Sequence, residues 1–141
     1  MDEPTFRTEL AAELAAMPLF AGLTVRQLED VAGTVLERSV KAGKTVIKEG
    51  QWGHEFLLVL EGELEVRRSG EVVATRGPGS YVGELAVLGE VRRNATVVAK
   101  TPVVIGSIEA SLFGPLLSDI PVLAERIAAA VQYEPPTALP D

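Results

Sequence analysis

Apolar residues change their spacing along the chain, and each change marks a different kind of element. Phe6, Leu10, Leu14 and Met17 recur at intervals of three or four, which predicts a short amphipathic helix over about residues 5 to 16, ended by Pro18. A second helix start follows: Thr24 and Gln27 have capping-box spacing, and Leu23 and Leu28 stand where a hydrophobic staple would. Its buried stripe continues through Val31 and Val35 and predicts an end near residue 36.

Beyond that point the spacing is that of strands. Val40 precedes a turn at Ala42-Gly43-Lys44, Val46-Ile47 open the next strand, and Gly50 and Gly53 bracket another turn. Phe56 to Leu60 is an unbroken apolar run of strand length, which predicts a strand buried on both faces. After a break at Glu61-Gly62, residues Glu63 to Arg67 alternate as a strand with one wet face does. Ser69-Gly70 supplies a hairpin turn into Glu71-Val72-Val73, Gly77-Pro78-Gly79 a further turn, and Ala95 to Ala99 and Val103 to Ile108 the last strands. Helical spacing returns over Glu109 to Leu117, and again from Pro121 through Leu123, Ile127 and Val131 until Pro135-Pro136.

About eight strands between helices, without strand–helix alternation, exclude a parallel sheet and predict a mainly β fold. The expected architecture is an eight-stranded jelly-roll β-barrel with N-terminal and C-terminal helices. Its organisation reads as an N-terminal helix over 1–18, one folded domain over 19–133 and a disordered tail over 134–141.

Composition narrows the chemistry. A net charge of -7 argues against a nucleic-acid partner, which needs a basic face, and requires any anionic ligand to be held by a local cation. The absence of cysteine excludes disulfides, zinc–thiolate sites and cysteine nucleophiles. The single histidine, His54, cannot build a multi-histidine metal centre, so a cupin-type metalloenzyme is set aside and no metal or cofactor is expected. His54 reads as an exposed turn residue, and Trp52 beside it as a cover over the barrel end. No apolar stretch reaches the roughly 18 residues of a membrane span, and the acidic N-terminus is unlike a signal peptide; a cytoplasmic location is the expectation.

The segment from Gly83 to Val97 carries the chemistry. A short stretch resembling one helical turn interrupts the β-rich region before a strand resumes. Gly83 permits a close backbone approach to a ligand. The N–H groups of Leu85 and Ala86 fall in a first helical turn, where donors lack internal partners and attract anions. Arg93 offers a rigid, permanently charged fork for phosphate oxygens. Glu84 would repel a bare phosphate but suits a ligand that also presents hydroxyl groups, such as a ribose.

Gly83-Glu84-Leu85-Ala86, Arg93 and Ala95-Thr96-Val97 together resemble the phosphate-binding cassette of the cyclic-nucleotide-binding domain family. The likeness extends from Leu19 to Leu123 through Leu19-Phe20-Ala21-Gly22-Leu23, Ala42-Gly43, Val46-Ile47, Glu49-Gly50, Leu60-Glu61-Gly62-Glu63-Leu64 and Gly79-Ser80-Tyr81. It implies that Glu84 accepts from the ribose 2′-hydroxyl and that Arg93 pairs with the cyclic phosphate. Backbone groups of Gly83, Leu85, Ala86 and Ala95 would line the cassette, while Val82 and, across the barrel, Val66 would pack on sugar and base.

The chain departs from the family pattern at Arg92, where proline is frequent, and at Asn94, where alanine, serine or threonine is usual. Asn94 offers a donor to a phosphate oxygen or a purine edge, which leaves base selectivity open. Arg76 stands where an apolar residue near the base is common, either covering the pocket or pointing to solvent, and Tyr133 is a candidate cap for a bound base. The implied function is a non-enzymatic sensor of cAMP or cGMP, with cAMP slightly favoured, acting on an effector outside this chain. The rival is a ligand-free interaction domain on the same fold.

Overall fold

The computed structural model describes residues 2–51, 53–83 and 95–132. Helix α1 (Asp2–Ala15) leads through a 3₁₀ turn at Pro18–Phe20 to α2 (Val25–Ala32). The predicted capping box is present: the Thr24 hydroxyl accepts from the Gln27 N–H at 3.1 Å, and the Gln27 side chain accepts from the Thr24 N–H at 2.9 Å. Helix α2 ends at Ala32, short of the predicted limit near residue 36. Thr34 explains the difference, since its N–H and its hydroxyl both donate to the Val31 carbonyl, at 3.0 and 2.7 Å, and turn the chain out of the helix. Val35 still packs on the same core, so the apolar stripe outlasts the helix.

Eight strands follow: β1 (Leu36–Val40), β2 (Thr45–Ile47), β3 (Glu55–Glu61), β4 (Leu64–Arg68), β5 (Glu71–Arg76), β6 (Tyr81–Val82), β7 (Thr96–Ala99) and β8 (Val103–Glu109). Helices α3 (Ala110–Asp119) and α4 (Pro121–Gln132) complete the described chain. The strands form two antiparallel four-stranded sheets, ordered β1-β8-β3-β6 and β2-β7-β4-β5. The expected roll is therefore built from two facing sheets, and among the described strands no ladder closes one sheet onto the other. The predicted tail over 134–141 lies outside the described residues.

Strand β3 explains the layering. Phe56, Leu57, Leu58 and Val59 are all fully buried, because successive side chains enter two different cores. Phe56 and Leu58 face the helices, joining Leu14, Phe20, Val31, Phe113 and Leu123. Leu57 and Val59 face the space between the sheets, joining Ile47, Leu64, Val66, Val97 and Ile105. The β3–β4 connection passes through Gly62 at φ +85°, where a Cβ would lie 2.2 Å from the Pro102 carbonyl oxygen. Only glycine fits both that conformation and that space.

Candidate functional site

The site is positioned by strand direction. Antiparallel order brings the C-terminal ends of β2, β4 and β6 and the start of β7 to one end of the barrel. Val82 closes β6 opposite Leu57 and is 6 % exposed, and Gly83 follows at φ +81°, a left-handed conformation that favours glycine. Ala95, 5 % exposed, leads into β7. Val66 on β4 is the register partner of Val97 on β7. Val66, Val82 and Ala95 all belong to the core between the sheets, so the structure brings these three predicted positions into one apolar core, Val82 from one sheet and Val66 from the facing one. Glu84, Leu85, Ala86, Arg92, Arg93 and Asn94 lie outside the described residues, as do Trp52 and Tyr133.

A polar clip fixes this end of the barrel. The Glu49 N–H donates to the Thr96 hydroxyl at 3.0 Å, and the Glu49 carboxylate accepts from the Ser69 N–H at 3.2 Å. One residue thus ties the segment after β2 to the start of β7 and to the β4–β5 turn. His54 is exposed, as expected, and its carbonyl accepts from the Ala110 N–H at 2.7 Å. Arg76 is half-buried and pairs in register with Leu64, at the end of β4 away from Gly83.

One buried charge escaped the sequence reading. Arg68 is only 7 % exposed and shares the inward parity of Leu64 and Val66 on β4. The alternation read from Glu63 to Arg67 stopped one residue short of it. Carrying the same period forward would have placed a cation on the buried face. Among the described residues, no group of histidine, aspartate and glutamate side chains could hold a metal ion. A groove of about 390 Å³ lined by Arg38, Lys41, Lys44 and their neighbours lies at the β1–β2 turn, at the other end of the barrel from Gly83.

Comparison with known proteins decides the family. The model of the cyclic nucleotide-binding domain matches residues 37–119, more than half of the chain. The chain belongs to the cyclic nucleotide-binding domain family. The cAMP-dependent protein kinase regulatory subunit of Schizosaccharomyces pombe is 35% identical over 120 residues, spanning 83% of this chain and 29% of that subunit. A cyclic nucleotide-gated potassium channel of Mesorhizobium japonicum is 34% identical over 112 residues, spanning 79% of this chain and 31% of the channel. This cyclic nucleotide-binding domain therefore spans about a third of the curated relatives it matches. Among solved structures, the regulatory subunit of a cAMP-independent protein kinase A from Trypanosoma brucei superposes with a TM-score of 0.84 at 25% identity, over 92% of this chain and 47% of that one. These likenesses establish the jelly-roll fold read from the strand pattern. No helix among the described residues is long and apolar enough to cross a membrane.

Proposed function

We propose that this domain is a non-catalytic sensor that binds a cyclic nucleotide, cAMP or cGMP, at the barrel end bounded by Gly83 and Ala95. The observation that supports this reading is that Val82, next to Gly83, and Ala95, at the other boundary of the cassette segment, share one apolar core with Val66. In this reading Glu84 holds the ribose hydroxyl and Arg93 the cyclic phosphate, with backbone N–H groups of Leu85 and Ala86 supplying further donors. Asn94 adds a donor at the phosphate or the purine edge. These roles follow the family motif residue by residue.

Transmission to an effector outside this chain would run through α3 and α4. Tyr81, two residues before Gly83, packs its ring 5.2 Å from that of Phe56, and Phe56 stacks on Phe113 of α3 at 4.5 Å. A ligand that binds one arrangement of cassette and helices better than another shifts the population by that difference in affinity. The test is calorimetric titration of the purified domain with cAMP and cGMP, using 5′-AMP as the control. Micromolar or tighter binding of a cyclic nucleotide, with 5′-AMP much weaker, is the expected result. No heat from a folded, ligand-free sample would overturn the sensor and leave an interaction domain on the same fold.

A further inference from the structure

We infer that the groove at the β1–β2 turn docks an extended acidic peptide segment of a partner protein, added as a strand to the edge of a sheet. Its lining combines three cations, Arg38, Lys41 and Lys44, with the apolar side chains of Val40 and Val46, and includes no carboxylate. In a chain of net charge -7 that is a local reversal of sign, and a cleft lined by one sign of charge concentrates the opposite one. Arg38 is engaged by Glu55, at 3.7 Å. Lys41 and Lys44 are exposed, and no ion pair joins either of them to another described residue.

The backbone around the groove favours a strand as its occupant. Among the described strands β1 ends one sheet and β2 ends the other, so two strand edges meet at this corner. An outermost strand presents alternate N–H and C=O groups that no neighbouring strand takes, and an added peptide strand satisfies them. The turn between the two edges is held in place: the Gly43 N–H donates to the Ala99 carbonyl at 2.7 Å, and the Ala99 N–H donates to the Lys44 carbonyl at 2.9 Å. Val40 and Val46 are half-buried and pack on the core between the sheets, which gives the groove an apolar floor. A strand alternating apolar and acidic residues would turn one face to that floor and the other to the lysines. Lysines on a strand edge also have a simpler use, which is to repel unwanted strands, and that guarding role calls for no ligand. The groove lies at the other end of the barrel from Gly83, so docking there stands or falls independently of the sensor reading.

The experiment follows the fluorescence anisotropy of a labelled hexapeptide of alternating valine and glutamate, with blocked ends, against the wild-type domain and the double variant Lys41→Gln/Lys44→Gln. Three further probes are a valine–lysine hexapeptide, a thymidine hexanucleotide, and the glutamate peptide with every backbone nitrogen methylated, which keeps the charge and loses the main-chain donors. The glutamate peptide should bind the wild type saturably and more weakly as salt rises. The double variant should bind it about tenfold more weakly, as two exposed ion pairs worth roughly threefold each would give. The methylated and the lysine peptides should bind far more weakly than the glutamate peptide. No binding of the glutamate peptide, or equal binding by wild type and double variant, overturns the inference and leaves the lysines as guards of the edge. A methylated peptide or hexanucleotide that binds as tightly as the glutamate peptide overturns it in favour of diffuse attraction for polyanions. A wild type that is dimeric in sedimentation, with the double variant monomeric, overturns it in favour of a second copy in the groove. Thermal unfolding checks the double variant; were it not to fold, the wild type's discrimination between the glutamate peptide and its methylated form decides.

Discussion

The two cores that share β3 are filled with different kinds of side chain. On the helix side, Phe20, Phe56 and Phe113 are fully buried with a set of leucines, and two of these rings stack. Between the sheets the described core holds no aromatic residue and is made largely of valines and alanines: Val59, Val66, Val82, Ala95, Val97, Ala99 and Val103. Large interlocking rings suit a surface that must hold helices against a sheet, because aromatic burial and stacking supply much of its stability. Short β-branched side chains suit strand pairing and let two facing sheets pack closely. The same strand therefore serves the helix-side core through Phe56 and Leu58 and the core between the sheets through Leu57 and Val59.

Substitutions on the two sides test that division. Phe56→Ala should have the largest effect on folding, a loss of about 3 to 5 kcal/mol in denaturant unfolding, because it removes a fully buried ring with two aromatic neighbours. Little change in the unfolding midpoint would end the assignment of stability to the helix side. Arg93→Leu should weaken cyclic-nucleotide binding by about 2 to 5 kcal/mol while leaving unfolding almost unchanged. Retained affinity in that variant, measured by calorimetry, removes its phosphate role. Val66→Phe places a ring in the core between the sheets, beside the proposed binding end. It should cost about 1 to 3 kcal/mol of stability through overpacking and abolish nucleotide binding at concentrations that saturate the wild type.

Two smaller effects belong to the helix side alone. Thr24→Ala deletes one arm of the capping box and should lower stability by about 1 kcal/mol without altering ligand affinity. Glu13 on α1 has its pKa raised above 4.5 by partial burial and by the neighbouring carboxylates of Glu37, Glu61 and Glu9. Its ionised form is therefore disfavoured in the folded state, and the penalty exists above the folded pKa and vanishes below the unfolded one. Glu13→Gln should raise the melting temperature slightly at neutral pH and leave it unchanged once the pH falls below the usual carboxylate range.

Periodicity made most of the fold legible. The unbroken run at Phe56 was short enough for a strand between two apolar layers, and Thr24 with Gln27 marked the start of α2. The end of α2 was hidden because Val35 keeps helical phase while serving the core from a loop, and the stop is made by a hydroxyl of Thr34. Of the candidate site, Gly83 takes the left-handed φ that its glycine suggested, and the rest of the cassette lies outside the described residues. The burial of Arg68 was not legible, since a cation next to a hairpin turn reads as solvated until its strand parity is followed into the barrel.

Arg126 gives the helical layer one more property. From α4 its guanidinium donates to the Leu19 carbonyl at 2.8 Å and the Pro18 carbonyl at 3.4 Å, so the last described helix is latched to the turn that follows the first. Both flanks of the barrel are thereby geared together. A shift of α4 must either drag that turn and the root of α1 with it or release two hydrogen bonds to a charged group. A reporter attached upstream of α1 should therefore register an α4 displacement as directly as one attached downstream.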